Sequence, residues 1–344
     1  MDELREKFQQ QFPEVLYLSV ENRAALESYL RRKRWIAKDE DIVSLNKPGE
    51  GNMNVVLRVV SSQQQFIVKQ ARPWVHKYPQ VAAPIERSEV EAAFYGLIAE
   101  NYTLHQNMPN LIGFDDKQFL LVLEDLGEGN DFTYLYQQGQ TITSDEVSTL
   151  TSFMSQLHRI QSDRFLASFP TNRAMKELNH EHIFKYPFLE ENGFNLDDVQ
   201  PGLQEVSLAY KRDNALKTKV TQLGKQYLST GSTLLHGDYY PGSWLRTTSG
   251  ISIIDPEFAF VGDPEFDVGV MIAHLTMAQT SSERIQQVLS EYESTSDYRD
   301  SLQQAFSGVE ILRRIIGLAQ LPVSLSLEEK SSLLEQAADW VQQY

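Results

Sequence analysis

Residues Leu234–Gly269 read LLHGDYYPGSWLRTTSGISIIDPEFAFVGDPEFDVG, and the fold turns on how this stretch is read. An apolar pair, Leu234-Leu235, runs into His236-Gly237-Asp238. SWLRT and ISIID then read as two short strands, with Thr248-Ser249-Gly250 as the turn between them. Such a hairpin brings Asp238, at one end, close to Asp255, at the other. Glu257 follows two residues later. One carboxylate is then a candidate proton acceptor, and the other two are hard oxygen donors suited to Mg²⁺. The tetrapeptide DPEF occurs twice, at 255–258 and 263–266. The first copy ends a strand beside the HGD loop. The second precedes the apolar run DVGVMIAHLTM, so Asp263 reads as a helix N-cap, Pro264 as the first helical residue and Glu265 as a first-turn acid.

The surrounding chain sets the class. It has 344 residues, enough for two lobes, and a net charge of −16. Such an acidic chain is a poor partner for nucleic acid or anionic lipid. A local basic pocket can still accept a phosphorylated ligand. There is no cysteine, which excludes disulfides, a thiol nucleophile and a Cys-based zinc site. No apolar run is long enough to span a membrane, and MDELREKFQQQFPEVL lacks the apolar core of a secretory signal. A cytoplasmic location is expected. HxH spacing occurs once, at His180-Glu181-His182, with no HExxH to extend it, which disfavours a divalent-metal hydrolase.

Upstream, residues 1–34 read as helical and end in a basic cluster, Arg31–Arg34. IVSLNKPGEGNMNVVLRVVSSQQQFIVKQA alternates β-branched and polar residues, and SSQQQ reads as a turn. Gly49 and Gly51, with Asn52 and Asn54, form a turn that can bring backbone N–H groups over phosphates; a plain hairpin is the other reading. Lys69 ends an apolar strand. It is either buried against an anionic partner or a surface lysine that snorkels. Glu91, or alternatively Glu89, on the helix near ERSEVEAAFYGLIAENY would supply that partner. LIGFDDKQFLLVLEDL reads as two strands joined at Asp115–Gln118; in a two-lobed nucleotide-binding protein FLLVLEDLGEG would be the hinge, and the backbone near Glu124–Leu126 would hydrogen-bond adenine. Beyond Glu124 the chain turns helical. Ser144 is a candidate N-cap for a helix with an apolar stripe through Val147, Leu150, Phe153, Met154 and Leu157. Residues 202–229 and everything from Pro264 onward read as mostly helical. The expectation is an α+β fold of two lobes: residues 1–124, a small antiparallel β-sheet with a helix that binds nucleotide, and residues 125–344, a larger, mainly helical catalytic and substrate-binding lobe.

Gly-turn, strand lysine, helix glutamate, hinge, HGD, hairpin and DPE come in the order of the protein-kinase-like phosphotransferase template. The chain resembles the aminoglycoside phosphotransferase and choline kinase-like superfamily, and within it the 5-methylthioribose kinases. The likeness covers roughly residues 40–325. It rests on Asp255-Pro256-Glu257 in IDPEFAFVG, on GEGNMNVVLRV and FIVKQARPWV, on the twin arginine Arg313-Arg314 in EILRRIIGLAQ, and more weakly on LNHEHIF at 178–184. The resemblance implies a protein-kinase-like fold and an ATP- and Mg²⁺-dependent kinase acting on a hydroxyl of a small sugar-like substrate. Asp238 would be the catalytic base, Asp255 and Glu257 the metal ligands, and Lys69 the phosphate-binding residue positioned by Glu91. Arg313 and Arg314 would hold the substrate. It also implies a homodimer and a place in methionine salvage. Ser243 stands where the superfamily often has Asn, and the methylthioribose kinases also have serine there. Tyr239-Tyr240 departs from the usual Leu-His, and Tyr240 beside the base would reshape the pocket. A kinase for an amino alcohol or aminoglycoside, and a nucleotide-binding pseudokinase module, are the rival readings.

Overall fold

A computed structural model describes residues 2–49, 51, 53–160, 167–294 and 297–344. The chain forms two compact units, Met1–Glu128 and Gly129–Tyr344. Among the described residues, no helix is long and apolar enough to cross a membrane.

The first unit is built on five antiparallel strands: β1 (Ile42–Asn46), β2 (Val55–Ser61), β3 (Gln65–Gln70), β4 (Leu111–Asp115) and β5 (Leu120–Glu124), in the order β1-β2-β3-β5-β4. Strand β2, VVLRVVS, alternates buried and half-buried positions, as a strand with one core face must. Helices α1 (Asp2–Gln11) and α2 (Arg23–Lys33) precede the sheet, and α3 (Arg87–Ile98) and the short α4 (Tyr102–His105) sit between β3 and β4. Leu26 and Leu30 of α2 join Leu57, Val59, Phe66 and Val68 of the sheet in one core. Val90, Phe94 and Ile98, at helical spacing, bury the inner face of α3. The residues 1–34 expected to be helical form two helices, broken around Pro13 because proline cannot donate to the preceding turn. The buried Arg72 docks α1 by lying 4.4 Å from the ring centroid of Phe8 and 3.9 Å from that of Tyr17.

The second unit is mainly helical. After a two-residue strand β6 (Asn130–Asp131) come α5 (Ser144–His158), α6 (Arg173–His180), α7 (Leu203–Lys211) and α8 (Asn214–Leu228). Then follow β7 (Thr233–Leu235), β8 (Trp244–Thr247), β9 (Gly250–Ile253) and β10 (Phe260–Gly262). Helices α9 (Glu265–Met277), α10 (Ser282–Glu291), α11 (Asp300–Ile316) and α12 (Leu327–Gln343) complete it. Strands β8 and β9 form the expected hairpin, in register Trp244↔Ile253 and Thr247↔Gly250, with β6 beside β8. Strand β10 pairs with β7, Leu235 opposite Phe260. Helices α9, α11 and α12 pack through Phe266, Val270, Ala273, Phe306, Leu312, Leu334 and Val341.

Four local expectations are corrected. The α5 cap is Thr143, not Ser144: Thr143 Oγ1 accepts from Glu146 N at 3.3 Å, and Glu146 Oε2 accepts from Thr143 N at 2.9 Å. A capping box needs Glu three residues after the cap, and three after Ser144 stands Val147. The helical stretch 202–229 is two helices, parted at Arg212-Asp213, where Asp213 Oδ1 caps α8 by accepting from Ala215 N and Leu216 N. Asp263 does not cap α9. That helix begins at Glu265, preceded by Pro264 in α conformation, and the Asp263 carboxylate instead accepts from Gln226 Nε2 at 2.7 Å. Nor is Glu265 simply a first-turn acid. It is 1% exposed and accepts from both the backbone N and Nε of Arg299, tying the start of α9 to the segment entering α11.

Candidate active site

In the second unit, β7 delivers the loop His236-Gly237-Asp238. The buried Asp267 of α9 holds it from behind, its two carboxylate oxygens accepting from His236 N at 2.7 Å and Gly237 N at 3.0 Å. The backbone amides here therefore have a fixed acceptor, which sets the loop conformation. Gly237 has φ +81°, and a Cβ there would fall 2.1 Å from the Phe258 carbonyl oxygen, so no other residue fits. His236 links the two ends of the hairpin. Its Nε2 faces Ile254 O at 3.0 Å while its Nδ1 lies 3.4 Å from Asp238 N, so it ties the HGD loop to the residue before Asp255. Ser243 Oγ donates to Asp238 O at 2.8 Å, and Ile254 N donates to Ser243 O. Ser243, buried, therefore positions the backbone of Asp238.

The two tyrosines after Asp238 diverge. Tyr239 is core: its hydroxyl donates to Leu150 O at 2.8 Å, and its ring packs with Phe153, His236 and Trp244. Tyr240 turns to the other side. Its ring lies 5.1 Å from that of His274 and 5.2 Å from the Arg314 guanidinium carbon.

Helix α11 carries the twin arginine and brings Arg314 toward Asp238. Arg314 Nη2 is 3.7 Å from Asp238 Oδ1. Both arginines are held by Glu310, one turn earlier on the same helix. Its Oε1 accepts from Arg314 Nε at 2.8 Å, and its Oε2 pairs with Arg313 Nε. His274 Nε2 contacts the same carboxylate at 2.9 Å, and its Nδ1 meets the Tyr136 hydroxyl at 2.6 Å. Sequence reasoning found Arg313 and Arg314 but missed Glu310 and His274. The three- and four-residue spacing from Glu310 to the arginines was the available signal.

Burial pushes the Asp238 carboxyl up to about 6; Arg314 and Arg313 pull it down, and Glu310 and Glu257 push it up again. Burial opposes ionisation of Glu310 too, but Arg313, Arg314 and His274 outweigh it and hold that carboxyl well below the usual range. Burial drives His274 down to about 4, only partly offset by Glu310.

Asp255 follows β9 in the left-handed backbone region, φ +62°, an unusual conformation for a non-glycine residue. Glu257 is buried. Asn172, itself at φ +48°, donates from Nδ2 to Glu257 O at 3.0 Å and Ala259 O at 2.9 Å. This brace on the DPE turn comes from a segment distant in sequence, and no local pattern announces it. Among the described residues no group of three His, Cys, Asp or Glu side chains is arranged to hold a metal. A pair of carboxylates is nonetheless what Mg²⁺ requires when it keeps its waters and shares phosphate oxygens. The donor set fits that ion.

In the first unit, Lys69 on β3 is 3% exposed, and its Nζ lies 2.9 Å from Glu91 Oε1 on α3. Glu89 faces solvent. Of the two open alternatives, the lysine is buried and Glu91 is its partner. Gly49 and Gly51 lie in the β1–β2 turn, where a Cβ on Gly51 would sit 2.5 Å from Asn54 O. Asn54 is buried and accepts from Arg87 Nε at 3.2 Å; the same guanidinium donates to the carbonyls of Met53, Arg72 and Pro84. Arg87 thus anchors the turn from below. Asn52 lies outside the described residues. Glu124 N donates to Asn110 O at 2.9 Å, and Glu124 Oε2 accepts from Asn110 Nδ2 at 2.6 Å. The segment around Leu126 is pinned to β2 by Arg58, which pairs with Asp125 at 2.7 Å and donates to Gly127 O at 2.6 Å.

The chain matches the phosphotransferase enzyme family over residues 44–302. It is 26% identical over 344 aligned residues to a methylthioribose kinase of Geobacillus kaustophilus, with 86% of this chain and 84% of that protein aligned. It is 27% identical to a methylthioribose kinase of Yersinia enterocolitica, where the alignment spans 72% of this chain and 64% of that protein. Among solved structures, a Plasmodium vivax ethanolamine kinase superposes with a TM-score of 0.56 at 12% identity, covering 98% of this chain and 93% of the other. A choline kinase from Streptococcus pneumoniae does so with 0.52 at 14% identity, covering 93% and 100%. At those identities the likeness is one of fold, and that fold is protein-kinase-like. The family match spans most of the chain and runs through the lysine strand, the HGD loop and the DPE turn; this protein therefore belongs to the phosphotransferase enzyme family and is a phosphotransferase.

Proposed function

We propose that the protein transfers the γ-phosphoryl group of ATP to a hydroxyl of a small sugar-like substrate, with 5-methylthioribose or a close relative the leading acceptor. The observation that carries this reading is a carboxylate, Asp238, on a loop whose backbone Asp267 fixes, with the half-buried Arg314 beside it. Phosphoryl transfer asks little covalent chemistry of a protein; it needs positioning and charge neutralisation. Asp238 accepts or orients the proton of the acceptor hydroxyl. Arg313, Arg314 and Tyr240 hold the acceptor. Lys69, set by Glu91, neutralises nucleotide phosphates, with Gly49, Gly51, Asn52 and Asn54 forming the turn over them. The backbone of Glu124–Leu126 reads adenine. Asp255 and Glu257 would hold Mg²⁺, which when bound neutralises charge on the phosphates.

Charge near the base supports an uncharged acceptor. Two carboxylates, Asp238 and Glu310, balance two guanidiniums, Arg313 and Arg314. A polycationic aminoglycoside would meet both arginines. The names of the relatives agree with this choice. The test is ADP release with Mg²⁺-ATP across an acceptor panel: methylthioribose, other pentoses, choline, ethanolamine and an aminoglycoside. Turnover with a pentose and none with the cations is the expected result. Preferred turnover of a cationic acceptor would overturn the assignment, and ATP binding without turnover of any acceptor would make the chain a binding module.

A further inference from the structure

Glu310 carries no exposed surface, yet the reaction as described above gives it no task. Its surroundings come from three elements. Arg313 and Arg314 lie on its own helix, α11. His274 reaches it from α9. Tyr136, from the turn before α5, meets the far nitrogen of His274. His274 is held neutral by burial, so the proton on Nε2 is donated to Glu310 and Nδ1 accepts from the Tyr136 hydroxyl. Tyrosine, histidine and carboxylate thus form a directed chain, and it ends on the guanidinium beside the base.

Two carboxylates compete for Arg314. Glu310 has the short contact, 2.8 Å; Asp238 is 3.7 Å away, beyond hydrogen-bond reach. Tyr240 packs on the guanidinium, and its Nη1 leans toward Ala319 O at 3.4 Å. Without Glu310, the nearest anion for a buried guanidinium is Asp238. A charge-assisted, two-pronged pair there would occupy the carboxylate oxygens that an acceptor hydroxyl needs.

We propose that Glu310 is a positioning residue that holds Arg314 off Asp238 and fixes the arginine pair, and that His274 and Tyr136 hold Glu310 in turn. This inference rests on the reading of Asp238 as the proton acceptor.

The test compares Glu310→Gln, Glu310→Asp, Arg314→Ala and the double variant Glu310→Gln/Arg314→Ala, with folding checked by circular dichroism. Glutamine keeps the shape but presents an amide that cannot hold two guanidiniums. A misplaced group beside the reacting atoms costs about 100-fold, so kcat of Glu310→Gln falls by about that factor while acceptor KM rises only a few-fold. Glu310→Asp recovers part of the loss. In the Arg314→Ala background, Glu310→Gln has little further effect on kcat, because its effect on the base runs through that arginine. Tyr136→Phe, a milder change, lowers kcat in the same direction. An equal fold-loss from Glu310→Gln in both backgrounds would mean a general packing role and overturn the proposal, as would wild-type kcat in folded Glu310→Gln. If Glu310→Gln does not fold, wild-type kcat in Tyr136→Phe overturns it instead. Failure of the wild-type enzyme to turn over any acceptor would instead refute the functional reading.

Discussion

At the residue scale, Asp238 is the test of the chemistry. A positioned general base contributes about 10²- to 10⁴-fold, so Asp238→Asn should lower kcat by that order while ATP affinity, measured by titration calorimetry, stays near wild type. Its ionisation also sets a pH dependence. Only the deprotonated carboxylate accepts a proton, and the carboxyl is pushed up to about 6. Rate should therefore fall as pH drops through about 6 and level off above it. Arg314 favours the charged form, so Arg314→Ala moves that limb to higher pH; a limb that stays put or moves down contradicts the assignment. Asp238 and the arginines were conspicuous as candidates in the sequence because each sits in a distinctive tripeptide or pair. Glu310 and His274 were less so. A glutamate in VEILRR looks like an ordinary helix-face salt bridge until α9 covers it.

At the element scale, the duplicated DPEF shows what a local pattern can and cannot say. Its first copy ends β9 and turns through a left-handed Asp255, and its second begins α9, as the flanking residues suggested. What they could not reveal is that Glu265 is buried against Arg299, a partner more than thirty residues on. Losing a buried charged acceptor costs about 1–3 kcal/mol. Glu265→Ala should accordingly lower the midpoint of thermal unfolding, while kcat measured well below that midpoint stays close to wild type. Glu257→Ala should do the reverse, keeping the midpoint and removing Mg²⁺-dependent turnover. Loss of turnover in folded Glu265→Ala would show that the second copy also serves the site. Thr143 makes the same point on a smaller scale. The choice between two adjacent hydroxyls was decided by the glutamate three residues further on, and Thr143→Ala should cost about 1 kcal/mol of stability with no change in kcat.

At the scale of the whole molecule, the order of parts made the fold readable when no single part did. A Gly-turn is commonplace and a strand lysine ambiguous, but their sequence ahead of HGD and DPE restricts the architecture. The connections that cross long stretches of chain stayed hidden, because they depend on packing: Asn172 on the DPE turn and Arg87 beneath the glycine turn. The two compact units carry separate parts of the proposed chemistry, and that separation can be measured. Lys69 and Glu91 both lie in the first unit, and Arg313 and Glu310 in the second. Lys69→Ala leaves Glu91 buried without its cation, which is expected to weaken nucleotide binding and lower kcat. Acceptor binding without nucleotide should be unchanged. Arg313→Ala should do the opposite, raising acceptor KM by about 10-fold or more, since a lost charged hydrogen bond is worth about 1.5–3 kcal/mol, and leaving ATP affinity intact. Paired calorimetric titrations of both variants, one with an ATP analogue and one with the acceptor, read the two effects independently. If either substitution weakened both ligands equally in folded protein, the assignment of nucleotide to the first unit and acceptor to the second would be wrong.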